Sequence, residues 1–230
     1  MSALRDQVRE RLRAEADPAK ALAMQAYMKS AMPYRGVQTT PLRAICKDCF
    51  AGLTWDDGER WQRAVRELWR GATHREERYA AIELARHRSG RPFHTLAAQP
   101  LYREMIESGA WWDMVDSIAP SLVFELLQAE PAAMGLVLRD WAHDDDMWVR
   151  RAAIIAQLAA KRKTDLALLY DCIEPSISSK EFFLRKAIGW ALRQYARTDP
   201  REVSRYVAVN AEHLSPLSRR EALKHIAQPG

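Results

Sequence analysis

The chain has 230 residues, 48% of them hydrophobic and 28% charged, enough to bury a substantial core within one large domain or two small ones. No apolar run approaches the roughly 18 residues that a membrane span needs. The opening MSALRDQVRERLRAEA alternates charge with apolar residues and lacks a secretory h-region, so a cytoplasmic protein with no membrane partner is expected. A net charge of +5 meets the electrostatic precondition for a polyanionic partner without identifying it.

Hydrophobic periodicity predicts helices almost throughout and no alternating strand pattern longer than a few residues, hence an all-α fold. Residues 2–15 and 18–31 read as two helices, with Asp17 as N-cap and Pro18 in the first turn of the second. Residues 32–41, MPYRGVQTTP, form a turn in which Thr40 can cap a helix from Pro41 to about Phe50. Thr54 caps another from Trp55 to about Arg70. Further helices are expected at about 73–88, 92–108, 111–128, 131–142, 147–160, 164–174, 179–197, 200–209 and 216–227, with short connections.

The cysteines and the acidic run carry no metal signal. Cys46, Cys49 and Cys172 are an odd count, poorly suited to a disulfide framework, and the C-x-x-C pair lacks a second pair of ligands at recognisable spacing. They read as small helix residues facing a core. His143 to Asp146 (HDDD) lies between two helices, where aspartates cap N-termini. No metal and no cofactor is expected, and no phosphate-cradling glycine loop or nucleophile triad stands at motif spacing.

An internal repeat organises the second half. WVRRAAIIAQL (148–158), FLRKAIGWALR (183–193) and LSRREALKHIA (217–227) align so that Arg151, Lys186 and Arg220 fall in register, about 35 residues apart. The same step back from Arg151 lands on Asp116, and a further one of about 38 on Arg78. That interval belongs to stacked paired-helix repeats of the HEAT or armadillo kind, slightly shortened. Stacked basic positions, with Arg150 beside Arg151, suit a phosphate backbone.

Asp116 is the exception in that strip. It lies in AWWDMVDSIAP, where Trp112 sits one helical turn earlier on the same face. A carboxylate against indole either has a bonded partner, such as Arg151 of the next repeat, or faces an arriving cation. Trp190, one turn beyond Lys186, supplies a second indole for that cation. Asp113 reads as a helix-start residue. Trp111, Trp148, Trp141, Trp69, Trp61 and Trp55 read as packing residues.

These blocks carry a resemblance. SGAWWDMVDSIAP, DMWVRRAAIIAQL, SSKEFFLRKAIGWALRQYA and LSPLSRREALKHI resemble, in order and spacing, the HEAT-like-repeat alkylpurine DNA glycosylases of the AlkD type. The likeness extends more loosely into AYMK and GVQTTP and so spans the chain. It implies a single domain over 1–230, a right-handed α-solenoid of HEAT-like repeats with a concave basic DNA-binding face. It also implies a monofunctional hydrolase that cleaves the N-glycosidic bond of cationic N3- or N7-alkylated purines in double-stranded DNA without flipping the base. By that resemblance Asp116 is the catalytic carboxylate, Trp112 and Trp190 are the active-site indoles, and Arg151 is a phosphate-binding arginine whose charge holds the Asp116 pKa down. Tyr27 and Gln38 are implied as DNA contacts, and the repeat adds Lys186, Arg150 and Arg220. A monomer suffices for such a reaction. A non-catalytic DNA-binding or DNA-structure-recognition relative is the alternative, and a protein-binding solenoid would instead carry an apolar or acidic groove.

Overall fold

The computed structural model describes residues 2–226, and all regular structure among them is helical. In chain order the helices are α1 (Ser2–Ala14), α2 (Pro18–Met28), α3 (Thr39–Cys49), α4 (Gly58–Arg70), α5 (Arg75–Arg86), α6 (Gln99–Gly109) and α7 (Trp112–Ile118). They continue as α8 (Phe124–Ala129), α9 (Pro131–Ala142), α10 (Met147–Ile155), α11 (Leu166–Ile173), α12 (Phe182–Tyr195), α13 (Pro200–Val209) and α14 (Pro216–Ala222). No helix among the described residues is long and apolar enough to cross a membrane. The chain divides after Leu101 into two compact units.

In the first unit, two fully buried carboxylates at the start of α5 organise the turn before α3. Glu76 accepts the backbone N–H groups of Arg35, Gly36 and Val37 at 2.9 to 3.2 Å. Glu77 accepts from the Arg9 and Arg35 guanidiniums, each at 2.8 Å. Burial works to raise the Glu77 pKa, but the bonds from Arg9, Arg35 and the Thr73 N–H outweigh it and leave the group at about 2. Gly36 closes the clamp: its φ is +87°, and a Cβ there would lie 2.1 Å from the Asp17 carbonyl oxygen. Asp17 caps α2 as expected, accepting the Lys20 N–H at 3.1 Å. Cys46 and Cys49 face this core, with Trp61 and Trp69.

The second unit repeats its contacts at nearly constant separation. Cys172 Sγ donates to the Leu138 carbonyl, 34 residues away. Ser218 Oγ donates to the Arg185 carbonyl, 33 away. Arg139 binds Asp171 and Tyr170 binds Glu202, each 32 away. Such a ladder arises when one helix pair stacks on the next with the same register. Helix α10 packs against α7, α9 and α12, and α12 packs closely on α14. Gly189 permits that last approach, since a Cβ there would sit 2.5 Å from the Glu221 Cβ.

Several element ends differ from expectation, each for a local reason. Asp57 rather than Thr54 caps α4, accepting the Arg60 N–H at 2.7 Å, so the helix begins at Gly58. Gln38 rather than Thr40 stands at the α3 N-cap. The helix expected over 92–108 starts only at Gln99, because the backbone leaves the helical region at His94 (ψ 66°) and runs extended at Thr95 (φ −114°, ψ 174°); Arg88–Phe93 and Leu96–Ala98 are 3₁₀ turns instead. Lys29, with φ of 48°, ends α2 before residue 31. The helices expected over 147–160 and 179–197 are trimmed to α10 and α12. The last expected helix includes Ala227, which lies outside the described residues; α14 itself ends at Ala222.

Candidate active site

The site is built where the chain turns sharply out of α6. Ala110 has φ of 37°, a left-handed conformation that costs a non-glycine residue about 1–2 kcal/mol. Trp111 follows in an extended conformation at the N-cap of α7, and Asp113 lies in the helix's first turn. Beyond Asp116 the run stays helical but widens into a π turn at Ala119–Val123. Pro120 is the cause: it has no N–H to return to the carbonyl four residues back, that of Asp116. Ser121 Oγ compensates nearby, donating to the Ser117 carbonyl at 2.6 Å.

On this strained segment Asp116 meets Arg151 of α10 fork to fork. Arg151 Nε donates to Asp116 Oδ1 and Nη2 to Oδ2, both at 2.8 Å. Arg151 Nη1 also donates to the Phe183 carbonyl at 2.5 Å, and the guanidinium lies 6.0 Å from the Phe183 ring centroid. The arginine is only 4% exposed. The Asp116 side chain keeps 16% exposure, so the carboxylate is sheltered but reachable. Burial pushes its pKa above the ordinary value; the Arg151 bonds and charge pull it down less, and Asp113 adds to the rise. The expectation that Arg151 holds this pKa low is thus corrected. The pull exists, but removing the carboxylate from water outweighs it.

Aromatic packing fixes the helix ends around this pair. Trp111, Trp148 and Phe183 form a triangle with ring centroids 4.9 to 5.8 Å apart, and Phe182 stands on Phe183 at 5.4 Å. Trp112 is half-buried one turn before Asp116, and Trp190 is half-buried on α12, which packs against the helix carrying Arg151.

A family model of DNA alkylation repair enzymes matches residues 8–226. The chain belongs to that family. It is also similar to the solved structure of a predicted DNA alkylation repair enzyme from Enterococcus faecalis, with 29% identity and a TM-score of 0.84. That alignment covers 93% of this chain and 98% of the other. No curated protein matches. Family membership gives the protein the role of an enzyme in the repair of alkylated DNA, on an all-α helical-repeat fold.

Among the residues expected to serve this repair enzyme, Asp116 and Arg151 are in direct contact, and Trp112 is a helical neighbour of Asp116. Lys186 is tied to Glu221 of the following repeat, Nζ to Oε1 at 3.1 Å, and Arg193 holds the other oxygen at 2.6 Å. Arg150 is half-buried and Arg220 exposed. Tyr27 and Gln38 lie in the first unit, and both are exposed, Tyr27 at 77%. Gln38 makes no cap bond with its side chain. Arg78, also in the first unit, lies over the Trp69 ring at 4.9 Å.

Sequence reasoning missed Glu221 and Phe183. The repeat alignment carried a signal for the first: Glu221 occupies the position held by Ala152 and Ala187, directly after each basic residue. For Phe183 the binding group is a backbone carbonyl, which no side-chain pattern reveals. The acidic run 143–146 caps α10, with Asp146 Oδ1 accepting the Trp148 N–H at 2.6 Å and Asp144 binding Arg103 at 2.6 Å. No group of three or more His, Cys, Asp or Glu suited to a metal occurs among the described residues.

Proposed function

We propose that the protein is a monofunctional DNA glycosylase that hydrolyses the N-glycosidic bond of cationic N3- and N7-alkylated purines in double-stranded DNA. The observation that carries this reading is the sheltered Asp116 carboxylate, oriented by a bidentate arginine and placed one turn from Trp112. An alkylated purine of this kind already bears positive charge and departs as a neutral base. It therefore needs no general acid, and one carboxylate can suffice where glycoside hydrolases require two.

As the bond breaks, positive charge grows on the deoxyribose. A carboxylate stripped of most of its water interacts more strongly with that charge than a solvated one, and Arg151 has already fixed its direction. The carboxylate has about four lone-pair sites, and Arg151 uses two of them, leaving acceptor capacity for a water aimed at C1′. Trp112 and Trp190 add cation–π attraction of about 0.5–2 kcal/mol each and exclude competing solvent. Tyr27 and Gln38, exposed in the first unit, contact the duplex, and Arg151 acts chiefly by positioning Asp116.

In this reading the lesion stays stacked while the protein grips sugar and phosphates, so bulky adducts are accepted. The enzyme works in the cytoplasm as a monomer without metal or cofactor. The test is to incubate the protein with duplex DNA bearing N7-methylguanine and measure free modified base. Release supports the reading. Intact substrate with the protein bound would favour a DNA-structure-recognition role.

A further inference from the structure

We propose that the arginines gripping the DNA backbone are Arg150, Arg185 and Arg219, the row one residue before Arg151, Lys186 and Arg220. The inference rests on the reading above that the ligand is duplex DNA, and it assigns the side chains that hold it.

Two of the three cations in the row singled out by the repeat already have carboxylate partners within the protein. Arg151 is committed to Asp116 and the Phe183 carbonyl, and Lys186 to Glu221. A cation already neutralised by a carboxylate gains little from a phosphate, because the old pair must break first. The preceding row differs. Arg150 of α10 and Arg185 of α12 are equivalent positions of successive repeats, both half-buried. In each, the Nε atom is shut off from solvent and has no hydrogen-bond partner among the described residues. The charge of Asp144 reaches Arg150, yet that carboxylate is already bonded to Arg103.

Shutting a guanidinium Nε off from water without an acceptor costs stability in the free protein, and the fold incurs that cost at both positions of the register. A polyanion would relieve it at both places. The sheltered stems also restrict rotamers in advance, so less freedom is lost when the terminal N–H groups meet a phosphate. Arg219, the third equivalent, is half-buried on α14. With Arg220, Lys224, Pro216 and Leu223 it lines an open depression of about 530 Å³ whose charged side chains are all cationic. Because α10 packs on α12 and α12 on α14, the three arginines occupy one register position on successive neighbouring helices.

The experiment measures binding of the full-length protein to a fluorescent duplex by anisotropy across a salt series. Glutamine keeps much of the stem and removes the charge, so Arg150→Gln, Arg185→Gln and Arg219→Gln are compared with Lys186→Gln, each first checked by thermal unfolding. Each arginine variant should lower the log–log salt slope by about 0.9 and weaken binding about tenfold at 0.1 M salt, on damaged and undamaged duplex alike. Lys186→Gln should leave the slope unchanged. Arg185→Lys, which preserves the charge, should keep the slope and covers the case in which the glutamine variant does not fold. Unchanged slopes in Arg150→Gln and Arg185→Gln, a drop confined to Lys186→Gln, or a slope lost in Arg185→Lys would overturn the assignment. Wild-type protein with no salt-dependent binding to duplex DNA would overturn the DNA reading itself.

Discussion

Replacing Arg151 by methionine should cost the protein about 3 kcal/mol of stability, the lower end of the range for breaking a buried ion pair from one side. Methionine fills much of the arginine stem's volume, so the loss comes from polar groups rather than from a void. Two charge-assisted bonds to Asp116 and one bond to the Phe183 carbonyl disappear, and a carboxylate of 16% exposure is left without its cation. That residual exposure lets water enter, which is why the lower end is expected. The penalty depends on pH in a defined direction. Removing the cation raises the Asp116 pKa further above its already raised value, so the deficit is fully present where the carboxylate is ionised and shrinks as acid neutralises it. Urea unfolding followed by tryptophan fluorescence should therefore show a larger loss at about pH 8 than at about pH 5. Adding Asp116→Asn removes the stranded charge, and the double-mutant cycle should return a coupling of about 2 kcal/mol. A single-variant loss below about 1 kcal/mol, or no coupling, would refute the view that this pair is an energetically committed unit.

Two further outcomes are expected. Glu77→Gln should destabilise by about 3 kcal/mol near neutral pH, the free-energy equivalent of holding the carboxyl at about 2 against an ordinary 4.5. Because this pKa is depressed on folding, the stabilisation is present above the ordinary carboxylate value and is lost as pH falls through the folded one. Wild type and variant should thus converge in acid-unfolding curves, and parallel curves would count against the assignment. Trp112→Ala and Trp190→Ala should each lower kcat/KM about 2- to 30-fold on a cationic lesion, the loss of one cation–π contact, as read by base release under limiting substrate. Equal activity in both variants would place the indoles outside the site.

Much of this was legible in the residues themselves. The helical period predicted an all-α chain and the repeat an interval of about 35 residues, beside which the contacts recur at 32 to 35, and Asp116 emerged because it interrupts a basic register. Trp111 was separable from Trp112 by register, and it packs against Trp148. The direction of the Asp116 pKa was not legible, because it depends on how burial compares with a known partner, and burial is a property of the assembled helices. The commitment of Lys186 was likewise hidden, since it depends on Glu221, two helices further along the chain. The widened turn after Asp116 traces to Pro120, a residue whose presence signals a disturbance without fixing its form.

The central claim is that Asp116 stabilises the cationic sugar, and single-turnover release of N7-methylguanine from duplex DNA tests it most directly. Asp116→Asn preserves the shape of the side chain and removes its charge, so the variant should bind the same duplex with wild-type affinity while losing about 100-fold or more in rate. Thermal unfolding of the variant separates this loss from any change caused by leaving Arg151 without its carboxylate. A folded, DNA-binding Asp116→Asn protein that releases the base at the wild-type rate would contradict the account.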